Sequence, residues 1–264
     1  MIKNSYEAKY KDLMLRAARD GIARKDRTGV GCTSLFNANI TVNLGEGFPI
    51  LTGRKMFERI FNTECDWFLS GETNIKRLVD NNVKIWNEWA DDKGDLGPVY
   101  GHQLRNFNSQ GVDQLENVIE SLKTDPDSRR HVISLWNPAQ IEDMALPPCY
   151  LYFQFFVEND KLNLFVLQRS GDIYLGVPYD IAMFSKLLMY VASEVGLKEN
   201  LLSLDIIDAH LYDNHHDAAA EYLQSKTYDL PEYCYTRADA DGEFGVVRLV
   251  SYESGPNIKA PVAV

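Results

Sequence analysis

The segment LPPCYLYFQF places Cys149 where a thiol could act as a nucleophile. Two prolines hold the chain extended before it, and the apolar run after it is typical of a strand. A nearby cation would lower the pKa of such a thiol and make it reactive, whereas a buried cysteine without one is inert. The residues leave both interpretations open for Cys149, and Cys32, Cys65 and Cys234 have no comparable setting.

Arginines lie in three segments that suit a phosphate group. Arg129 and Arg130 end PDSRR, Arg169 lies in QRSGD, and Arg27 lies in KDRTGVG. A guanidinium fork matches phosphate oxygens, although each arginine could equally be a solvated surface residue. The chain carries 27 Lys and Arg against 38 Asp and Glu, a formal net charge of −11. We therefore expect a small anionic ligand rather than a long nucleic-acid backbone.

Several other polar and aromatic residues have settings that suit a ligand. His210 and Tyr212 are two apart on a predicted strand, so both point to one face and could bond a sugar hydroxyl. Glu64 lies on an apolar helix face, where a carboxylate is either paired or catalytic. Trp86 and Trp89 could stack on a flat ring or simply pack in the core. The histidine spacing matches no standard metal site, so no metal is predicted.

The pattern of the whole chain predicts the elements that position these residues. Its 264 residues are 45% hydrophobic and 25% charged, which allows an ample core. Helices and strands mix without strict βαβ alternation, which favours one α+β domain over residues 1–264. The spacing predicts helices over 5–20, 57–70, 113–124 and 179–197, strands over 35–44 and 131–137, a hairpin turning at Asn159-Asp160, and a strand, turn and helix over 201–225.

The composition also bears on location. No run approaches the roughly 20 apolar residues that span a bilayer, and the first residues lack the apolar core of a signal peptide. The four cysteines show no CxxC spacing, which is typical of free thiols in a reducing compartment. We expect a cytoplasmic protein, or one in a host cytoplasm if a phage encodes it.

These segments, taken together and in order, resemble the thymidylate synthase family over nearly the whole chain. The resemblance implies a three-layer α/β/α fold around a large mixed sheet and homodimers that join sheet to sheet. It also implies transfer of a one-carbon unit from 5,10-methylenetetrahydrofolate to C5 of a pyrimidine nucleotide, without a metal. The segments that carry it are KDRTGVG, ECDWFLSGETNI, IWNEWADDKGDLGPVYG, DPDSRR, ALPPCY, LQRSGDIYLGVPYDIA, DAHLYDNH and IKAPVAV.

The resemblance also implies a role for individual residues. Cys149 would add to C6 of the base, with Arg169 keeping the thiolate charged, while Tyr100 and Glu64 would handle the C5 proton through water. The nucleotide would contact Arg27, Gln168, Arg169, Ser170, Asp172, Asp180, His210 and Tyr212, with Arg129 and Arg130 reaching the phosphate of the partner subunit. The folate would contact Ile85, Trp86, Trp89, Leu146, Asp172, Gly176, Tyr179 and Ala263.

Two residues depart from the family pattern. The chain has Asp180 where thymidylate synthases have asparagine, and Tyr150 where they usually have histidine. Asparagine can accept from uracil N3–H and donate to O4, whereas a carboxylate can accept from the cytosine amino group and from a protonated N3. The same aspartate occurs in phage deoxycytidylate hydroxymethylases. Asp180 therefore predicts dCMP as substrate, unless it only caps the predicted helix, where Asn and Asp serve equally.

The product depends on what reaches the exocyclic methylene after the C–C bond forms: hydride gives methyl and water gives hydroxymethyl. Trp86, GDLGPVYG and KAPVAV resemble the methylating enzymes, which predicts 5-methyl-dCMP. Hydroxymethylation of dCMP or CMP is one alternative, and methylation of dUMP is another. A non-catalytic nucleotide- or RNA-binding relative is disfavoured because Cys149, Glu64, Tyr100 and Arg169 are all present.

Overall fold

A large mixed sheet forms the centre of the molecule in the computed structural model, which describes residues 4–26, 28–237 and 244–263. Its strands are β1 (Ile22–Arg24), β2 (Cys32–Asn43), β3 (Val132–Ser134), β4 (Tyr150–Glu158), β5 (Lys161–Asp172) and β6 (Lys198–Tyr212). They are ordered β1-β2-β6-β5-β4-β3, with β5 and β6 parallel and the other neighbours antiparallel. A separate pair joins β7 (Glu232–Thr236) to β8 (Val246–Val250). The predicted α+β class with a large mixed sheet is confirmed.

Capping residues mark the ends of some of the helices. The Asn4 side chain accepts from the backbone N–H of Glu7 at the start of the first helix. Gly71 adopts a left-handed φ of 79° just after the second helix, a conformation that favours glycine. The helices are α1 (Ser5–Asp20), α2 (Glu58–Ser70), α3 (Lys76–Asp80), α4 (Tyr100–Arg105), α5 (Gln114–Thr124), α6 (Gly176–Val195) and α7 (His216–Leu223).

The two faces of the sheet differ in burial. Side chains alternate along a strand, and on β5 Leu162, Leu164 and Val166 are buried beneath the helices. On the opposite face the strands carry apolar side chains that stay accessible, including Phe156 at 62% exposure and Ile207 at 38%. The structure therefore has one covered face, which packs against α1 and α6, and one open apolar face.

Several predicted elements have different bounds in the structure, among them the strand expected over 35–44, which is β2 (Cys32–Asn43), and for two others the cause is visible. The strand expected over 131–137 ends at Ser134, because Asn137 and Pro138 turn the chain and Asn137 Oδ1 accepts from the N–H of Ala139. The helix expected from residue 179 begins at Gly176. Asp172 Oδ1 accepts from the backbone N–H groups of Tyr174 and Leu175. These bonds order the chain just before Gly176, so the helix can begin there.

This earlier start corrects one interpretation of Asp180. The residue lies in the second turn of α6, and the N-cap position belongs to Leu175. A side chain in the second turn no longer faces the free backbone N–H groups that a cap satisfies. The interpretation of Asp180 as only a helix cap is therefore wrong.

A buried ion pair joins the two central helices. Lys186 on α6 is fully buried, and its Nζ donates to the carbonyl of Asn62 at 3.1 Å and to Asp66 Oδ1 at 2.6 Å on α2. A buried charge is tolerated when partners satisfy it in this way. The pair fixes α2, which carries Glu64, against α6, which carries Asp180.

The C-terminal residues 252–263 form neither helix nor strand. Several hydrogen bonds hold them, including those from the Lys55 N–H to the carbonyl of Pro256 at 3.0 Å and from the Gly255 N–H to the carbonyl of Thr52 at 2.8 Å. Nearer the end of the chain, Tyr174 Oη donates to the carbonyl of Ile258 at 3.1 Å, and His215 Nε2 bonds the carbonyl of Pro261 at 2.8 Å. Within the described ranges, no helix is both long and apolar enough to cross a membrane.

Candidate active site

A cavity of about 330 Å³ opens between α2, α6 and the C-terminal segment. Its wall is mostly apolar and aromatic, with three carboxyl groups, a composition typical of a small-molecule site. Ala263, expected at the folate, is buried but does not line it. The lining residues are Ile60, Glu64, Ile85, Trp86, Trp89, Leu146, Tyr150, Asp172, Leu175, Gly176, Tyr179, Asp180, Ala260 and Val262.

Glu64 is a buried carboxyl group in this wall and accepts one hydrogen bond from an indole N–H. Trp86 Nε1 donates to Glu64 Oε1 at 3.0 Å. Burial, and then the charge of Asp180, raise the pKa of Glu64 to about 8, while the Trp86 hydrogen bond acts in the opposite direction. Glu64 therefore holds a proton at neutral pH and can give or take one at a ligand in the cavity.

We expect Glu64→Gln to make the protein more stable at alkaline pH. Because the folded-state pKa is about 8 and the ordinary value is 4.5, ionisation of Glu64 opposes folding as pH rises between these values. Glutamine can still accept from Trp86 and carries no charge. Urea unfolding should show a gain of roughly 1–3 kcal/mol at pH 8.5 that shrinks towards pH 5. An equal difference at both pH values would contradict this assignment.

Asp180 accepts a hydrogen bond at each of its carboxylate oxygens. Tyr150 Oη donates to Oδ1 at 2.6 Å, and Gln168 Nε2 donates to Oδ2 at 3.0 Å. Burial raises the pKa of Asp180 to about 6, and the two hydrogen bonds act in the opposite direction. Both departures from the family pattern thus meet in one hydrogen-bonded pair at the cavity wall.

Cys149 lies at the start of β4 beside a cation. Its N–H donates to Tyr100 Oη at 2.9 Å, and Arg169 Nη2 lies 3.9 Å from its Sγ. Arg169 is held in place because its Nε and Nη2 donate to the carbonyls of Pro148 and Pro147, each at 2.8 Å. A fixed guanidinium beside a half-buried thiol favours the thiolate, so the geometry favours the nucleophile over an inert cysteine.

Tyr100 is buried, and its ring packs against the cavity residues Trp86 and Tyr150. Burial, and then the charge of Cys149, raise the pKa of Tyr100 well above its usual value. Its oxygen accepts from the Cys149 N–H, so its own proton can be donated to a further group.

The remaining nucleotide residues have varied settings. The rings of His210 and Tyr212 lie 4.9 Å apart on β6, and Asp208 contacts His210. Ser170 pairs with Asp208 across β5 and β6. Arg129 and Arg130 are exposed ahead of β3 and do not line the cavity, and Arg27 lies outside the described residues.

A second groove lies on the open sheet face, beside exposed Phe36 and Ile207. It has a volume of about 300 Å³ and is lined in part by Arg24, Ser34, Arg169 and Asp208. Arg24 and Asp208 form an ion pair at 2.9 Å. Arg24 was not predicted, because no signal in the sequence distinguishes it from other surface arginines.

Four cavity residues were also not predicted. Ile60 lies one turn before Glu64 on α2, so helical spacing alone could have placed it on the same face. Leu175, Ala260 and Val262 lie outside regular strands or helices, where spacing gives no such signal.

Among residues 4–26, 28–237 and 244–263, no group of three His, Cys, Asp or Glu side chains is placed to hold a metal ion. The chemical groups present are a thiol beside a guanidinium, a proton-holding carboxyl, a phenol and an aromatic cavity. A comparison with protein families found a match to one family, described as thymidylate synthase, over residues 8–264.

Proposed function

Because the chain belongs to the thymidylate synthase family, we propose that it methylates dCMP at C5. The family carries out folate-dependent methyl transfer to C5 of a pyrimidine nucleotide, with methylenetetrahydrofolate as co-substrate. The observation that carries the cytosine preference is Asp180, whose carboxylate lies at the cavity wall with both oxygens acting as acceptors.

Asp180 selects the base by its hydrogen-bonding pattern. A carboxylate only accepts, so it matches two donors on the base edge: the amino group at position 4 and a protonated N3 of cytosine. Uracil presents an acceptor, O4, at position 4, and two acceptors facing each other in a buried site cost roughly 1–3 kcal/mol.

The side chains around Cys149 perform the one-carbon transfer. Cys149 Sγ forms a bond to C6, and the electron pair displaced towards C5 makes that carbon nucleophilic. Arg169, 3.9 Å away, stabilises the thiolate before attack. Glu64 and Tyr100 move the proton that leaves C5. The folate would supply both the carbon and the hydride that completes the methyl group and would leave as dihydrofolate, while the bond from Cys149 Sγ to C6 breaks and restores the ring double bond.

The cavity of about 330 Å³ provides the folate site. Trp86 and Trp89 form an aromatic wall for a flat ring, and the Asp172 carboxylate can accept from its polar edge. Ile85, Leu146, Gly176 and Tyr179 complete the contact surface, and Ala263 follows the lining residue Val262.

A dimer formed through the open sheet face completes the phosphate site in this proposal. Exposed Phe156 and Ile207 give that face the apolar character of an interface. The groove beside Arg169 and Arg24 lies on the same face, where Arg129 and Arg130 of the partner subunit would meet the phosphate. Residues 1–264 then act as one catalytic domain in each subunit.

We expect Phe156→Asp to convert the dimer to a monomer and to weaken dCMP binding. A charge in the centre of an apolar interface must be desolvated without a partner. Sedimentation velocity should show the monomer, with KM for dCMP rising by roughly tenfold or more. Leu15→Asp, at an exposed leucine on α1, serves as a control that stays dimeric. A Phe156→Asp dimer with unchanged KM would contradict the proposed interface.

The proposed activity is tested by incubating the protein with methylenetetrahydrofolate and dCMP, dUMP or CMP in turn. Mass spectrometry should identify 5-methyl-dCMP and dihydrofolate from dCMP. A hydroxymethyl product without dihydrofolate would replace methylation by the hydroxymethylase alternative. Thymidylate from dUMP, with no product from dCMP, would reject the cytosine preference.

A further inference from the structure

We propose that Tyr150 is a specificity-determining positioning residue that acts through Asp180. With Gln168 it keeps both carboxylate oxygens as acceptors, so that the proton shared with the base stays on N3 of cytosine. This inference rests on the proposed dCMP activity and extends it to a residue beside the nucleophile.

The geometry of the sheet supports this pairing. Tyr150 on β4 and Gln168 on β5 are direct cross-strand partners, and both side chains reach Asp180 on α6. The three side chains are buried, with Gln168 at 3% exposure and Tyr150 and Asp180 at 7%. Tyr150 is also packed edge-on against Phe184 and tilted against Tyr100, which fixes its ring. The hydroxyl therefore has little freedom to point elsewhere.

The Gln168 amide cannot readily turn over. Its Nε2 donates to the Ser170 carbonyl at 2.9 Å as well as to Asp180 Oδ2. Turning the amide would set its oxygen against two acceptors. Asp180 Oδ2 is thus held as an acceptor by Gln168, and Oδ1 is held as an acceptor by Tyr150.

This arrangement distinguishes the two bases by where a proton can reside. Cytosine carries the proton on its own N3, which leaves both Asp180 oxygens free to accept. Uracil O4 is an acceptor, so it could pair with Asp180 only if Asp180 were protonated. A proton on either Asp180 oxygen would occupy a position where Tyr150 or Gln168 now donates a hydrogen bond. The other titratable groups around Asp180 are Glu64, Tyr100 and Asp172. Among the described residues, the side-chain donors hydrogen-bonded to Asp180 are Tyr150 and Gln168.

The proton balance follows directly. When dCMP binds above the pKa of free N3, one proton is taken from water and one N3–H bond forms. This proton lies between N3 and Asp180. It withdraws electron density from the ring and so assists attack by Cys149 at C6.

The test combines a variant with a spectroscopic measurement. We expect Tyr150→Phe to lower the ratio of kcat/KM for dCMP over dUMP by about 10- to 100-fold, the range for losing one hydrogen bond to a charged group. Tyr233→Phe is the matched control, because Tyr233 Oη donates to Glu199 Oε1 at 2.7 Å outside the cavity. It should leave the ratio unchanged.

In the wild type, ¹⁵N NMR of dCMP labelled at N3 should show a protonated N3 in the complex at pH 7.5. This measurement needs no variant, so a poorly folded Tyr150→Phe protein would not remove the test. An unprotonated N3, or an unchanged ratio in Tyr150→Phe, would overturn the inference and leave dCMP methylation intact. A wild-type enzyme that accepts dUMP and rejects dCMP would overturn both.

Discussion

Asp180→Asn is expected to reverse the base preference, with the ratio of kcat/KM for dCMP over dUMP falling by about 100-fold or more. The substitution replaces one carboxylate oxygen, an acceptor, with an amide NH₂, a donor. This donor would face the amino group of cytosine, which is a mismatch, but it can donate to O4 of uracil, which is a match. Each buried mismatch costs roughly 1–3 kcal/mol, and about 1.4 kcal/mol corresponds to a factor of ten. Competition between dCMP and dUMP in one reaction, with products separated by mass, measures the ratio directly.

The variant should also be slower with its best substrate than the wild type is with dCMP. The amide nitrogen introduced by Asp180→Asn would face Gln168 Nε2, or displace Tyr150 as a donor, so one internal hydrogen bond is lost. Asp217→Asn, at an exposed residue in the first turn of α7, controls for the loss of charge. A preference that stayed on dCMP would show that Asp180 does not select the base.

Cys149→Ala is expected to reduce turnover by roughly 10³-fold or more, because no other described thiol shares its setting beside Arg169. Binding of dCMP should persist, since the remaining nucleotide contacts are kept. Mass spectrometry of the denatured protein should find the covalent nucleotide adduct in the wild type and not in the variant.

Cys234→Ala is the matched control for this substitution, because Cys234 is an exposed free thiol on β7. It should retain full activity and form the adduct. Turnover by Cys149→Ala close to the wild-type rate would require a mechanism without attack by this thiol.

Hydrophobic spacing predicted most of the fold because periodicity and caps act locally. The bounds of α1 match the sequence expectation, α5 begins one residue later than expected, and the hairpin turns at Asn159 as predicted. The start of α6 does not match its prediction. The Asp172 carboxylate binds the backbone before the helix and orders the chain ahead of Tyr179, so the helix begins earlier. Such a contact depends on side-chain geometry that a periodic pattern does not contain.

The candidate site was predictable to the level of residue types but not of contacts. Separate motifs predicted Cys149, Glu64 and Asp180 as site residues. The family resemblance placed Tyr150 and Asp180 at the same end of the base pocket, but no pattern predicted their direct hydrogen bond, since the two residues are 30 positions apart. The ion pair between Lys186 and Asp66, 120 positions apart, was missed for the same reason.

The C-terminal segment has a consequence for how ligands enter and leave. Three sides of the cavity are formed by α2, by α6 with Tyr150 of β4, and by the segments outside helices and strands that carry Trp86, Trp89 and Leu146. The fourth side, which includes Ala260 and Val262, is held by the Tyr174 and His215 hydrogen bonds. Two such bonds are worth roughly 1–3 kcal/mol together, so thermal fluctuation can release this side without unfolding the rest. Ligands can therefore enter and leave through local opening of the C-terminal segment. Substitutions that weaken the Tyr174 or His215 hydrogen bond would change the rate of ligand exchange without altering the catalytic side chains.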